Sequence, residues 1–240
     1  MKRRRVLMIA AGLLVLASSA FVQQTVQMYF NGGWNGGSWD DGGTGFYYGS
    51  VNGTQVGPGQ AVPGMLCDDF RDEVFPGETW SATALNVSSL LTNWNTLGKD
   101  TLFGSTVGFN GYLEMAIVVE QAFTNTLMFG ATPNDVSEVV WCITGGPSNC
   151  TKSGMSSAAY QLLCWVKGLN LAGYNLSQFA NLTLFVPQGN GSSGYPPQEM
   201  WSELVAAEGG AALMYLLLAG VVCFGAIFHS RRQRTKRALA

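Results

Sequence analysis

Histidine is almost absent from this 240-residue sequence, and the single one, His229, lies in the C-terminal tail. The rest of the chain therefore cannot build a Ser-His-Asp or Cys-His catalytic arrangement, or a His-based zinc or iron site. A phosphate-binding P-loop is also excluded, because the Gly98-Lys99 pair is followed by Asp100 and lacks the upstream glycine. Carboxylate-only chemistry is the enzymatic option that these absences leave, and no cofactor is predicted.

Basic residues are scarce in the middle of the chain. Residues 21–208 contain four Lys and Arg side chains against all 15 Asp and Glu side chains, a formal net charge of −11. Neutralising phosphate groups requires clustered Lys and Arg. Nucleic acid is therefore excluded as a partner, and an anionic lipid surface would be repelled.

Long apolar runs occur only near the two ends of the chain. Basic residues at positions 2–5 precede the 12-residue run "VLMIAAGLLVLA" and the small residues "SSA". This run is too short to cross a hydrocarbon core of roughly 30 Å as a helix. Residues 1–20 therefore predict a cleaved export signal, removed by a signal peptidase.

The second apolar run, residues 209–228, is 20 residues long and uncharged. As a helix it would measure about 30 Å, enough to span a membrane. Five basic residues follow it, so the positive-inside rule places the tail in the cytoplasm and residues 21–208 outside.

The region around this run consists of an acidic-small stretch, an apolar segment and an Arg-rich end. It resembles the tripartite C-terminal sorting signal of bacterial PEP-CTERM proteins, which exosortases process. The family's Pro-Glu-Pro is "AAEGG" here, so only the glutamate matches. The resemblance implies that residues 208–240 are a sorting signal, removed so that the product is released or attached at the cell surface; the alternative is a lasting membrane anchor. The residues that carry it are Ala207, Glu208, Gly209, Gly210, Arg231 and Arg232.

Four cysteines lie in the part of the chain expected to be exported. An even number in such a domain predicts two disulfides. Cys142 and Cys150 bracket the turn-rich "ITGGPSN", which favours a bond between them, and Cys67 and Cys164 are the expected second pair. A Cys₄ zinc site is the alternative, although no C-x-x-C pair is present.

The periodicity predicts an α+β domain over residues 65–187, with short antiparallel strands flanking three helices. Strands are expected around Leu66, in "TWSATALNV" and in "FANLTLFVPQ". Helices are expected in "NGYLEMAIVVEQAF", "TPNDVSEVVWCI" and "SGMSSAAYQLLCWVKG". A Gly- and aromatic-rich segment, residues 21–64, precedes this domain, and a Pro/Gly-rich linker, residues 188–207, follows it.

Two groups of residues are candidates for binding or chemistry. The acidic cluster Asp68, Asp69, Asp72 and Glu73 either binds a divalent cation through oxygen ligands or forms a solvated acidic turn. Trp34 and Trp39, in the Gly-rich segment, are candidate platforms for sugar rings, with a place in the core as the alternative.

The short motifs "LCDDF", "PGETW" and "EVVW" resemble exported domains that often precede PEP-CTERM signals. This resemblance implies a non-enzymatic protein of a bacterial envelope or extracellular matrix, which could contact polysaccharide. A glycoside hydrolase that uses two carboxylates is one alternative, with candidates Asp68, Asp69, Glu114 and Glu120. A single-span type I surface glycoprotein is another, because six N-x-S/T sequons occur.

Overall fold

The computed structural model describes residues 23–33, 45–57, 59–69, 74–145 and 150–203, and a curled antiparallel sheet of seven strands runs through them. The strands are β1 (Gln24–Gly33), β2 (Tyr47–Val51), β3 (Thr54–Val56), β4 (Leu66–Cys67), β5 (Thr79–Asn86), β6 (Thr183–Gln188) and β7 (Met200–Ser202). Their order across the sheet is β3-β2-β1-β5-β6-β7-β4. Every neighbouring pair is antiparallel.

The central strand, β5, is the one that the alternation in "TWSATALNV" predicts. Its residues Trp80, Ala82 and Ala84 are buried, while the residues between them are more exposed. This period of two is typical of a strand whose two faces lie in different environments. β5 pairs with β1 on one side, opposite Met28, and with β6 on the other, opposite Phe185. The prediction of a strand here is confirmed.

Five α-helices pack with the sheet: α1 (Val87–Thr92), α2 (Trp94–Leu97), α3 (Gly104–Phe123), α4 (Pro133–Ile143) and α5 (Ser157–Lys167). Two 3₁₀ turns, Gly98–Asp100 and Leu176–Asn181, complete the set within the described ranges. α3 is the central helix, because residues 111–119 are all buried. The three predicted helices correspond to α3, α4 and α5, and the α+β class is confirmed.

Local sequence signals explain where α4 begins. The Thr132 hydroxyl accepts a hydrogen bond from the Asp135 amide, and the Asp135 carboxylate accepts one from the Thr132 amide. Pro133 occupies the first helical position, where a missing N–H costs nothing. This reciprocal capping box satisfies two of the amide groups that every helix start leaves unpaired.

The sheet extends beyond residues 65–187 in both directions. Strands β1 to β3 come from the Gly- and aromatic-rich segment, and within β1 the side chains of Val26, Met28 and Phe30 are buried at alternate positions. Strand β7 lies inside the expected linker, residues 188–207, and Trp201 there is fully buried. The predicted borders are therefore corrected: apolar residues of both flanking segments complete the core.

One predicted disulfide is present and the other is not. Cys142 and Cys150 are bonded, with a Cα–Cα distance of 5.7 Å, which confirms this pairing. The predicted Cys67–Cys164 bond is wrong, because both are free thiols in different environments. Cys67 is buried beside the sheet, and its Sγ accepts a hydrogen bond from the Asp69 amide, whereas Cys164 lies exposed on α5.

Both predicted targeting segments, residues 1–20 and 208–240, lie outside the described residues. So do the sorting residues Ala207, Glu208, Gly209, Gly210, Arg231 and Arg232, and the Trp34 and Trp39 side chains. Within the described ranges, no single helix has the length and apolar character to cross a membrane. One sharply bent pair of helical segments, Trp94–Asp100 and Gly104–Phe123, meets those two criteria together.

Candidate functional site

An open cleft lies between α3, α5 and the chain that follows α5. Its volume is about 680 Å³, within the range of ligand-binding clefts in proteins. Leucine side chains supply part of its lining, and a few polar and aromatic groups project among them. These groups are Phe109, Asn110 and Glu114 from α3, Lys167 from α5, and Asn170 and Tyr174 from the following segment.

An ion pair joins the two helices at this cleft. Lys167 Nζ lies 2.6 Å from Glu114 Oε2, with the lysine side chain 49% exposed and the glutamate side chain 10% exposed. Lys167 belongs to the last turn of α5, where the helix dipole favours a cation. A carboxylate as buried as Glu114 requires a partner, because an unpaired buried charge is costly. The ion pair therefore presents both signs of charge to the cleft with no net charge.

The two aromatic rings of the cleft are held by other rings. Phe109 packs edge-on against Trp94, with centroids 6.0 Å apart and an interplanar angle of 75°. Tyr174 stacks on the buried Phe179, with centroids 6.1 Å apart and an angle of 6°. Both arrangements are favourable for aromatic pairs. The rings are thus positioned before any ligand binds.

The segment after α5 has a defined turn geometry at the cleft. The Asn170 side-chain oxygen accepts a hydrogen bond from the Ala172 amide at 3.1 Å, which is an Asx turn. Gly173 follows with φ of +75°, a conformation that favours glycine. Together these two features turn the chain so that Tyr174 reaches Phe179.

A second polar cluster lies inside the fold, and we call it the carboxylate network. It consists of Asp68, Tyr112, Glu199 and Trp201, each with 0% exposure. Trp201 Nε1 donates to Asp68 Oδ2 at 2.7 Å, and the Tyr112 hydroxyl donates to Glu199 Oε1 at 2.7 Å. The Leu102 amide donates to Glu199 Oε2 at 2.9 Å. The network links β7 and the chain after β4 to α3.

The two carboxyl groups of the network differ in the hydrogen bonds that they receive. Burial raises the pKa of both, and for Asp68 the neighbouring Glu199 charge raises the pKa further. Glu199 receives hydrogen bonds from Tyr112, from the Leu102 amide and from Asp68, which stabilise its ionised form. Asp68 Oδ1, in contrast, has no hydrogen-bond partner among the described residues. These contacts favour the proton on Asp68 and the charge on Glu199.

Comparison with protein families, curated proteins and solved structures finds no match for this chain. Its function is therefore inferred from the geometry of its own residues.

The structure separates the predicted acidic residues. Asp68 and Asp69 are both buried, so the prediction of a solvated acidic turn is wrong for these two; β4 carries the chain into the interior before them. Asp72 and Glu73 lie outside the described residues. Within the part of the chain that the structure describes, no group of three or more His, Cys, Asp and Glu side chains is placed to hold a metal ion.

The four hydrolase candidates do not meet at one surface. Among them only Glu114 lines the cleft, where it is paired with Lys167. Glu120 lies further along α3 and is half-buried. Burial raises the pKa of its carboxyl group, and the nearby negative charge of Glu203 adds a smaller increase. Asp68 and Asp69 are in the interior. A fully buried carboxyl group cannot contact a polysaccharide in this conformation.

The sequence interpretation missed the partners of these acidic residues. Glu199 and Trp201 lie in the segment taken for a linker, and Tyr112 and Lys167 were assigned no role beyond their helices. One signal could have revealed the first two: Met200 and Trp201 form a large apolar pair at the end of an otherwise polar, Pro/Gly-rich stretch. Such a pair favours a buried strand over a solvated linker.

A pair of exposed aromatic rings lies in two other loops. Phe75, before β5, is 41% exposed, and Tyr195, between β6 and β7, is 63% exposed; their centroids are 6.3 Å apart. Glu78 connects these loops, since it accepts hydrogen bonds from the Phe75 amide and the Ser193 hydroxyl. Neither ring lines the cleft, so this pair serves as a comparison surface for the cleft.

Proposed function

We propose that this protein is a non-enzymatic exported protein of a bacterial envelope or extracellular matrix, and that its cleft contacts polysaccharide. The observation that carries the proposal is the composition of the cleft. One concave surface is lined by two positioned aromatic rings, Phe109 and Tyr174, by the exposed Asn110, and by the Glu114–Lys167 ion pair. Sugar rings offer apolar C–H faces to aromatic side chains and hydroxyl groups to polar ones, so both kinds of group have a use there.

Three features support export. The N-terminal 20 residues have the pattern of a signal peptide, and residues 208–240 resemble a PEP-CTERM sorting signal. The Cys142–Cys150 disulfide suits an oxidising compartment, where such bonds form and persist. A processed C-terminus would leave the described domain at the cell surface or in the matrix.

The polysaccharide contact is tested by retention. The full chain would be applied to the polysaccharide fraction of its host, with Tyr174→Ala as the cleft variant and Tyr195→Ala as the matched control on the exposed aromatic pair. We expect retention to fall in Tyr174→Ala, because a ring face is lost from the cleft, and to stay unchanged in Tyr195→Ala. Unchanged retention in both variants would contradict the cleft as the contact site.

Two further measurements separate this proposal from its alternatives. Release of new reducing ends from the bound polysaccharide would contradict a non-enzymatic role and favour a hydrolase. A Trp34→Ala/Trp39→Ala variant tests the sugar platform that the sequence suggests in the Gly-rich segment. Loss of retention in that variant alone would move the contact site away from the cleft.

The C-terminal processing is tested by the intact mass of the mature protein purified from its host. We expect a chain that begins near residue 21 and ends near Ala207 or Glu208. A mass that includes residues 209–240 would instead indicate a resident single-span protein. Attached N-glycans would favour the type I glycoprotein.

A further inference from the structure

We infer that the cleft selects neutral sugars with adjacent hydroxyl groups over acidic and amino sugars, and that the Glu114–Lys167 ion pair sets this preference. The inference rests on the proposed function, since it names the class of polysaccharide that the cleft binds. Three observations lead to it: the geometry of the ion pair, its unequal burial, and the charge of the surrounding chain.

The ion pair offers a donor and an acceptor side by side. A lysine ammonium has three N–H donors, and one of them is directed to Glu114 Oε2 at 2.6 Å. A carboxylate has two oxygens with several lone pairs between them. Adjacent sugar hydroxyls each donate and accept, so one can accept from Lys167 while its neighbour donates to Glu114. A neutral diol thus binds both charges and leaves the ion pair intact.

A charged sugar must compete with this ion pair. A uronic acid carboxylate that draws Lys167 away leaves Glu114, whose side chain is only 10% exposed, without its cation and beside a second anion. An ammonium sugar that engages Glu114 displaces Lys167, whose side chain is 49% exposed and can reach water. Binding either charged sugar therefore costs free energy. The acidic sugar costs more, because it leaves the buried Glu114 unpaired, whereas the amino sugar leaves the half-exposed Lys167 unpaired.

The net negative charge of the part expected to be exported also disfavours acidic sugars, and it acts at longer range than the ion pair. Residues 21–208 carry a formal net charge of −11, with Lys167 among only four basic residues. Such a field repels an anionic polymer, but added salt screens it beyond roughly 10 Å at 0.1 M. The contact between Glu114 and Lys167 is partly buried and is screened less. Salt therefore separates the two effects.

The experiment measures binding of three oligosaccharides of matched length by calorimetry: a neutral glucan, a uronic acid oligomer and a glucosamine oligomer. The assay is run near pH 6, where sugar amines are protonated, at low and high salt. For the wild-type chain we expect binding of the neutral oligomer. We expect no binding of the acidic one, even at high salt, because the contact effect remains when the field is screened.

Two variants should exchange the preference. Glu114→Gln removes the anion and leaves Lys167 free for a ligand carboxylate, so the acidic oligomer should bind. Lys167→Met leaves Glu114 free for a ligand ammonium, so the glucosamine oligomer should gain affinity. In both variants the neutral oligomer should bind about tenfold more weakly, since each loses a hydrogen bond to a charged group. Lys152→Met, which removes an exposed lysine that does not line the cleft, is the charge-matched control and should bind as the wild type does.

The outcomes distinguish the two proposals. If none of the oligomers and no host polysaccharide binds, the proposed function fails and this inference fails with it. If the wild-type chain prefers the acidic oligomer, or if both variants bind the neutral oligomer as tightly as the wild type does, the inference is overturned while the proposed function stands. Thermal unfolding of each variant identifies loss of fold, and the half-exposed Lys167 provides a test even if the more buried Glu114 does not tolerate replacement.

Discussion

At the scale of single residues, the carboxylate network shows how two acidic side chains can occupy one core. Two ionised carboxylates in contact would repel each other without water to screen them. A proton on Asp68 removes one charge and converts the contact with Glu199 into a hydrogen bond. The remaining charge lies on Glu199, which Tyr112 and the Leu102 amide stabilise.

This assignment predicts opposite outcomes for two substitutions. In Asp68→Asn the amide mimics the neutral acid, because its oxygen can accept from Trp201 and its NH₂ can donate to Glu199. Near pH 4, where the unfolded chain also holds much of this proton, we expect the free energy of unfolding to change by no more than about 1 kcal/mol. Glu199→Ala removes the acceptor of the Tyr112 hydroxyl, the Leu102 amide and Asp68. This loss should lower the free energy of unfolding by about 3 kcal/mol or more. Urea unfolding measures both, and equal losses in the two variants would contradict a protonated Asp68.

The proton on Asp68 also predicts a pH dependence. The pKa of Asp68 is raised in the folded chain, so between its unfolded pKa, about 3.9, and its folded pKa the native state holds a proton that the unfolded state has lost. Its contribution to stability is complete below the unfolded pKa and is lost as the pH rises. The free energy of unfolding of the wild type, relative to Asp68→Asn, should therefore fall with pH by at most about 1.4 kcal/mol per pH unit. A difference that is constant with pH would contradict this.

At the scale of elements, one side chain fixes the starts of two helices. Asp135 closes the capping box of α4 through the Thr132 amide, and it also accepts a hydrogen bond from the hydroxyl of Ser156, which is the N-cap of α5. The two helices are therefore connected at their first turns. A hydrogen bond depends on direction as well as distance, so this contact favours one relative orientation of the two helices.

Removing this connection should cost more than removing one cap. We expect Thr132→Ala to lower the free energy of unfolding by about 1 kcal/mol, the usual value of an N-cap. Asp135→Ala should cost about twice as much, because it also leaves the Ser156 hydroxyl without its acceptor. Asp100→Ala, at an exposed carboxylate, is the matched control. Chemical denaturation compares the three, and equal losses for Thr132→Ala and Asp135→Ala would show that the link to α5 contributes nothing.

The elements also show which parts of the fold the sequence could predict. α4 was predictable because Thr132, Pro133 and Asp135 lie within one turn of each other. β5 was predictable because its alternation is local. Met200 and Trp201 indicate a buried strand beside Glu199, but the contacts of Glu199 were not predictable, since its partners Asp68 and Tyr112 are more than 80 residues away along the chain and no local pattern specifies them. For the same reason the cleft could not be foreseen: Glu114 and Lys167 meet only after α3 and α5 pack.

At the scale of the whole molecule, the cysteines connect the fold to its expected compartment. Four cysteines predict two disulfides, but the part of the chain that the structure describes contains one bond, Cys142–Cys150, and two thiols of different accessibility. Cys67 is buried, and burial raises the pKa of its thiol well above the ordinary value. A thiol without water contact and with little thiolate reacts slowly, so Cys67 can stay reduced in an oxidising compartment.

The order in which these cysteines react follows from their positions. With a maleimide reagent and peptide mapping, we expect the native protein to be labelled at Cys164 and not at Cys67. Unfolding without a reductant should expose Cys67, and only a reductant should release Cys142 and Cys150. A Cys164→Ser variant identifies the first label. If Cys67 and Cys164 both stay unlabelled after unfolding until a reductant is added, the two are bonded to each other, and the protein has a second disulfide that would pull Cys67 out of the core.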